Sequence, residues 1–244
     1  MRKKIVVWIK KELRQARAAG IVLGLSGGID SCVVAALARE AAGKGKVLAL
    51  ILPIHSVPSD TRDALVIARR LGIKAKIVNL TGIYENLIRI LPEAGSLAKM
   101  NLKPRLRMVV LYYFANKLNY LVCGTGNKSE IMTGYFTKYG DGAADILPIG
   151  GLLKKEVKIL AKELDIPERI IAKTPTAGLK PGQTDEGEMG IIYPELDDIL
   201  ERLESRRKQV LPRIKVARVK NFISRSEHKR QKPRICNFGR INDG

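Results

Sequence analysis

Residues 25–31 read Leu-Ser-Gly-Gly-Ile-Asp-Ser, set between the apolar run Ile21-Val22-Leu23 and a stretch of helical spacing over 32–42. A strand, a glycine turn and a helix start bring several backbone N–H groups and the positive helix end onto one anion, an arrangement suited to phosphate. Asp30 places a carboxylate beside that anion. Such a pairing calls for a divalent cation between the two. No lysine follows the glycines, so the segment is not the ordinary P-loop. The plain alternatives are a turn without ligand and an aspartate that merely favours its own helix start. Ser26, Asp30 and Ser31 standing together argue for the phosphate site.

Such a site needs elements to hold it. Residues 21–25, 47–52, 75–80 and 120–123 are short apolar runs rich in branched side chains, and 31–42, 59–71 and 103–118 carry helical spacing between them. Apolar strands alternating with helices predict an α/β fold, a doubly wound parallel sheet of Rossmann-like type in a single domain. Ligands in such sheets bind at the carboxyl ends of the strands. The glycine loop follows the first strand, 53–60 follows the second, and Gly124-Thr125-Gly126-Asn127 follows the fourth. Beyond these, 152–164 and 194–207 read as helices. Residues 133–151 and 173–188 read as long polar loops, a length usual for functional segments.

Bulk composition narrows the chemistry. The chain has 244 residues, 44 lysines and arginines against 24 aspartates and glutamates, and a net charge of +20. That excess favours anionic partners: nucleic acid, an acidic surface or a phosphate-rich small molecule. Aromatic residues are 5% of the chain, too few for a base-stacking platform. Cys32, Cys123 and Cys236 are odd in number and far apart, and the only histidines are His55 and His228, so neither a disulfide framework nor a zinc cluster is predicted. Cys32 and Cys123 lie in apolar runs and read as packing residues in a reducing compartment. The amino terminus has five apolar residues before Lys10 and Lys11 and no small-residue cleavage site. It predicts an amphipathic helix, with Val6, Ile9 and Leu13 facing either the core or a second copy. With no apolar run near the ~20 residues of a membrane span, the expected location is cytoplasmic, without membrane contact.

The later segments are the most discriminating. They are Asn101-Leu102-Lys103-Pro104-Arg105-Leu106-Arg107-Met108, Gly124 to Glu130, Gly134-Tyr135-Phe136-Thr137-Lys138-Tyr139-Gly140-Asp141-Gly142, Ala144-Asp145-Ile146-Leu147-Pro148, Thr174-Pro175-Thr176-Ala177-Gly178-Leu179, Pro181 to Glu186, and Ser226-Glu227-His228-Lys229-Arg230. With the glycine loop, these resemble ammonia-dependent NAD synthetase, of the pyrophosphate-loop ATP pyrophosphatases with an adenine nucleotide alpha hydrolase-like fold. The likeness runs from about Gly24 to Arg230, which implies a synthetase domain over 1–230 and a basic tail over 231–244.

The resemblance implies ATP-dependent amidation of deamido-NAD (nicotinate adenine dinucleotide) by ammonia, giving NAD, AMP and pyrophosphate through an adenylated carboxylate. It implies ATP on Gly24, Leu25, Ser26, Gly27, Gly28, Ile29, Asp30, Ser31, Thr125, Lys154 and Thr176, and Mg²⁺ on Asp30 and Glu130. Deamido-NAD would lie on Arg105, Lys138, Asp145, His228 and Lys229. A homodimer is implied, and nucleic acid is not an expected partner. No general base is identified among these residues. Read without the resemblance, Glu130, Arg105 and His228 could be surface groups, Lys138 and Asp145 could pair with each other, and Lys154 could lie on a solvated face. The chain departs from many bacterial relatives at Ile29, Ile51, Gly178 and the basic stretch 232–240. With 23 residues before Gly24, no amidase segment precedes the loop, so ammonia is the expected direct nitrogen source. The rival expectations are a pyrophosphatase acting on tRNA and a non-catalytic module that binds nucleotide or nucleic acid.

Overall fold

The computed structural model describes residues 1–180 and 182–236. Four strands form one parallel sheet: β1 (Gly20–Gly24), β2 (Val47–Ile51), β3 (Lys74–Ile77) and β4 (Tyr120–Val122), in the order β3-β2-β1-β4. Around them stand α1 (Arg2–Gln15), α2 (Ile29–Ala42), α3 (Pro58–Leu71), α4 (Thr81–Ile90), α5 (Ser96–Leu118), α6 (Lys128–Thr133) and α7 (Lys154–Glu163). The carboxyl-terminal part adds α8 (Glu168–Ile171), α9 (Asp185–Met189), α10 (Tyr193–Glu204), α11 (Arg213–Arg225) and α12 (Glu227–Arg230).

Strand alternation sorts the core into two layers. Ile21, Leu23, Val47, Ala49 and Ile51 pack with Val6 and Ile9 of α1, the buried face of α2, Ala64 and Ile67 of α3, and Val157 and Leu160 of α7. Val22, Leu50 and Val122 point the other way, onto Tyr84 of α4 and Leu106, Val110 and Ala115 of α5. Helices therefore cover both faces, as a doubly wound sheet requires. Each fully buried aliphatic side chain contributes roughly 1.5–3 kcal/mol, and slipping β1 by one residue would exchange the two sets. A smaller cluster under α10 and α11 holds Leu196, Ile199, Leu200, Val216 and Val219.

The strand order decides where a ligand can sit. The chain builds outward from β1 through β2 to β3, then returns to lay β4 on the other side of β1. Connections diverge at the carboxyl ends of β1 and β4, opening a crevice there. Past β4, Cys123 and Ile146 form a parallel bridge, and Gly124 N–H donates to the Ile146 carbonyl at 2.9 Å. The polar loop thus returns to the same edge.

Several sequence expectations shift. The third strand is Lys74–Ile77 rather than 75–80, and it is exposed throughout. It is the sheet edge, where lysines discourage pairing with another chain. The helix expected from Lys103 begins at Ser96 and carries Pro104 inside it. Helices α4 and α11 lie where no helix was expected. Residues 193–204, not 194–207, form α10, and α9 interrupts the loop expected over 173–188. The Val6–Ile9 face of α1 is turned into the core. Cys32 and Cys123 are buried, and burial pushes the Cys32 thiol up to about 12 and raises Cys123 as well. Neither is a thiolate at neutral pH. Among the described residues no helix is long and apolar enough to cross a membrane. Of the expected tail, 231–236 follow α12 without regular structure, and 237–244 lie outside the described residues.

Candidate active site

The turn between β1 and α2 is built by its own hydroxyls. The Ser26 and Ser31 hydroxyls lie 3.1 Å apart, Gly28 N–H donates to Ser26 Oγ at 3.2 Å, and Ser31 Oγ donates to the Gly28 carbonyl at 2.9 Å. Gly27 has φ +83°, and a Cβ there would lie 2.5 Å from the Asp60 carbonyl of α3. Glycine is required on both counts. Gly28 is the N-cap of α2 and offers no capping side chain. The opening amides of this 14-residue helix, at Ile29, Asp30 and Ser31, are therefore available to an anion.

Beside that turn three charged side chains from three elements meet. Asp30 Oδ2 accepts from the Lys154 ammonium at 2.5 Å, and Glu130 Oε1 lies 3.7 Å from the same ammonium. Asn127 ties the carboxylates together. Its Nδ2 donates to Asp30 Oδ1 at 3.0 Å, its Oδ1 accepts from Glu130 N–H at 3.0 Å, and Glu130 Oε2 accepts from Asn127 N–H at 3.3 Å. That reciprocal pair is a capping box at the start of α6. Burial first, and then the Asp30 charge, push the Glu130 carboxyl up to about 8. Burial alone would lower Lys154, but Asp30 and Glu130 outweigh it and the ammonium is held more firmly charged than usual. Lys154 is 2% exposed, so the solvated-face alternative fails.

A second ring of groups fixes these three. Ser129 Oγ donates to Asp197 Oδ1 at 2.5 Å and accepts from Lys154 N–H at 3.0 Å, while Asp197 Oδ2 accepts from Lys155 N–H at 2.8 Å. Asp197, buried on α10, thereby docks the start of α7 against α6. The Tyr193 ring lies 5.0 Å from the Lys154 ammonium, and its hydroxyl donates to Asp185 Oδ2 at 3.1 Å. Asp185 Oδ1 is buried without a partner, and burial raises this carboxyl. Sequence reasoning gave no role to Asn127, Ser129, Tyr193 or Asp197. Asn127 and Ser129 stand in a quoted string, and the asparagine also has the signal of an N-cap residue three before a glutamate.

The remaining predicted residues divide between two places. Lys138 donates to the His228 carbonyl, Arg105 Nη2 donates to the Lys138 carbonyl at 3.4 Å, and Lys229 donates to the Gly134 and Phe136 carbonyls at 2.8 Å each. Arg105, Lys138, His228 and Lys229 thus gather where the 134–142 loop meets α12. Gly134 makes that contact possible: a Cβ there would stand 2.1 Å from Ser226 Cβ. Asp145 does not pair with Lys138. It accepts from Tyr112 Oη at 3.1 Å and from Val122 N–H at 2.7 Å, beside β4. Thr125 is half-buried in the turn after β4. Thr176 is exposed, its hydroxyl accepting from Gly178 N–H at 3.1 Å. Its segment starts at Lys173, whose ammonium reaches Asp60 at 2.6 Å and Asp63 at 3.0 Å on α3, the helix that abuts Gly27.

The arrangement is a set of helix-start amides, a buried ammonium and two carboxylates, with a separate cluster of cations where the 134–142 loop meets α12. It can hold a polyphosphate and a counter-cation and bring a second anionic substrate alongside. Comparisons with known proteins bear on the family. The "NH(3)-dependent NAD(+) synthetase" of Archaeoglobus fulgidus is 47% identical over 235 residues, covering 96% of this chain and 94% of that protein. An NMN synthetase structure from Francisella tularensis superposes with a TM-score of 0.90 at 41% identity, covering 97% of each chain. An NH3-dependent NAD synthetase structure from Campylobacter jejuni gives 0.84 at 32% identity, again over 97% of each. The sequence pattern of NAD synthase matches residues 1–233, and with these relatives it establishes that the chain belongs to the NAD synthase family.

Proposed function

We propose that the protein converts deamido-NAD and ammonia to NAD, with ATP going to AMP and pyrophosphate. The observation that carries this reading is the meeting of Asp30, Glu130 and Lys154 beside the open amides of α2, at the point where strand connections diverge. A carboxylate is a poor electrophile, and adenylation gives it a good leaving group. An oxygen of the nicotinate carboxylate attacks the α-phosphorus and pyrophosphate departs. Ammonia then adds to the acyl carbon, AMP leaves, and the nitrogen loses one proton. Charge that develops on pyrophosphate is met by the amides of Ile29, Asp30 and Ser31 and by the Lys154 ammonium.

Asp30 and Glu130 are the groups that would hold Mg²⁺. Their chemistry fits, because they already share one cation in Lys154. Mg²⁺ there would take its other oxygens from phosphate and water. When bound, Mg²⁺ supplies charge neutralisation to the phosphates. ATP is assigned to residues 24–31, Thr125, Lys154 and Thr176, and deamido-NAD to Arg105, Lys138, Asp145, His228 and Lys229. Free Cys32, Cys123 and Cys236 suit a reducing, cytoplasmic setting. We assign a homodimer, supported by the exposed apolar side chains Ile83 and Ile90 of α4 and Leu97, Val109 and Tyr113 of α5.

A second reading keeps the chemistry and shortens the substrate to nicotinate mononucleotide. The likeness to the Francisella tularensis NMN synthetase favours it. One assay separates these readings: Mg-ATP and an ammonium salt with deamido-NAD, with nicotinate mononucleotide, with tRNA, or with nothing added. Pyrophosphate release that depends on deamido-NAD and yields NAD is expected. Dependence on the mononucleotide selects the second reading, and release that depends on RNA, or on no added acceptor, overturns both.

A further inference from the structure

Lys103 lies on α5 and is 7% exposed, yet no carboxylate neutralises it among the described residues. Its ammonium donates to the Leu179 carbonyl at 2.7 Å and lies 5.4 Å from the centre of the Tyr84 ring. Burial lowers this ammonium, and Arg107 one turn along adds repulsion. A buried cation facing only a neutral carbonyl and a ring face is costly to keep, and leucine or methionine would pack the same space. The contact it makes is specific. Leu179 N–H is also held by a side chain, donating to Gln183 Oε1 at 2.8 Å, so both polar groups of this residue are fixed from outside the main chain.

The place of Leu179 gives the contact a role. The segment 173–180 has its foot at Lys173, pinned to Asp60 and Asp63 of α3, and its far end at Leu179, pinned to α5. Thr176, assigned above to ATP, lies between the two pins. Helix α5 also carries Arg105, assigned to the other substrate, two residues from Lys103. We propose that Lys103 is a positioning residue that braces the ATP-side segment 173–180 against the helix bearing the deamido-NAD side, so that the two substrates meet in register. It acts through the Leu179 carbonyl and touches neither reacting atom. The inference rests on the residue assignments of the proposed function, while its first test needs no turnover.

The test compares Lys103→Met, which keeps the apolar stem, with Lys103→Arg, which keeps a cationic donor. Hydrogen–deuterium exchange of amides in 176–180, without nucleotide, is expected to quicken about tenfold in Lys103→Met and to return toward wild type in Lys103→Arg. In steady-state assays Lys103→Met is expected to raise KM for Mg-ATP by about tenfold with a smaller change in kcat. Unchanged exchange overturns the brace, and so does a rise in KM for deamido-NAD alone, which would make Lys103 a substrate contact. Should Lys103→Met fail to fold, Lys103→Leu serves in its place: with no donor for the Leu179 carbonyl, faster exchange in 176–180 and a raised KM for Mg-ATP support the brace, and wild-type behaviour overturns it. Wild-type protein that makes neither NAD nor NMN sinks the proposed function and leaves the exchange result standing on its own.

Discussion

An ammonium removed from water stays charged only where other groups replace its hydration. Lys154 shows the condition met, with Asp30 at 2.5 Å, Glu130 at 3.7 Å and the Tyr193 ring behind it. The same lysine offsets repulsion between Asp30 and Glu130, each half-buried. Lys154→Met should therefore destabilise the protein by about 1–3 kcal/mol, below the cost of a fully buried unpaired charge because both carboxyl groups keep some water. Adding Asp30→Asn to that variant removes one of the stranded charges, and part of the stability should return. Urea unfolding of both single variants and the double variant measures this. Additive losses would mean that the three groups do not act as one cluster. Asp30 and Glu130 stand in strings quoted for the family, whereas Lys154 was named through the resemblance alone, its own surroundings reading as a solvated face. Asn127 was quoted in such a string, yet its bond to Asp30 spans 97 positions and has no local signature.

Elements were legible where periodicity and turn chemistry agree. Strands β1 and β2 and helices α2 and α3 sit close to their predicted bounds because each apolar run ends at a glycine or a proline. Helix α5 was read too short: helical spacing was recognised from Lys103 while the helix begins at Ser96. The helix tolerates Pro104 eight residues past Ser96, buried among its neighbours. Helices α4 and α11 were not among the expected elements: α4 is apolar in sequence yet buries no residue fully, with Ile83 and Ile90 exposed, and α11 buries Val216 and Val219. Contacts between elements were the least legible. Asp197 of α10 accepts from Ser129 of α6 and from Lys155 N–H of α7, and nothing in its surroundings in sequence marks it. Asp197→Ala leaves a hydroxyl and an amide unpaired, so a loss of about 1–3 kcal/mol per group is expected. Turnover should fall with it as Lys154 loses its fixed position. Denaturant midpoints paired with kcat test this, and a stable variant with normal kcat would show that α7 needs no dock.

At the scale of the whole molecule, charge and apolar surface oppose each other. A net +20 per chain repels a second copy, while Val109 and Tyr113, 58% and 59% exposed on α5, with Ile83 and Ile90 of α4, offer apolar surface that association would bury. Both substrates of the proposed reaction are polyanions, so the charge that hinders pairing draws them in. Salt therefore acts in two directions. Between about 50 and 500 mM it shortens the screening length from over 10 Å to a few ångströms, which should tighten a dimer built on α4 and α5 while raising KM for ATP and for deamido-NAD. Val109→Asp places a carboxylate in the same face. It should shift sedimentation toward the monomer at every salt concentration and leave the monomer folded. If added salt instead dissociates wild-type dimers, or if Val109→Asp sediments as wild type, the contact between copies lies on another surface and is held by charge, not by the apolar faces of α4 and α5.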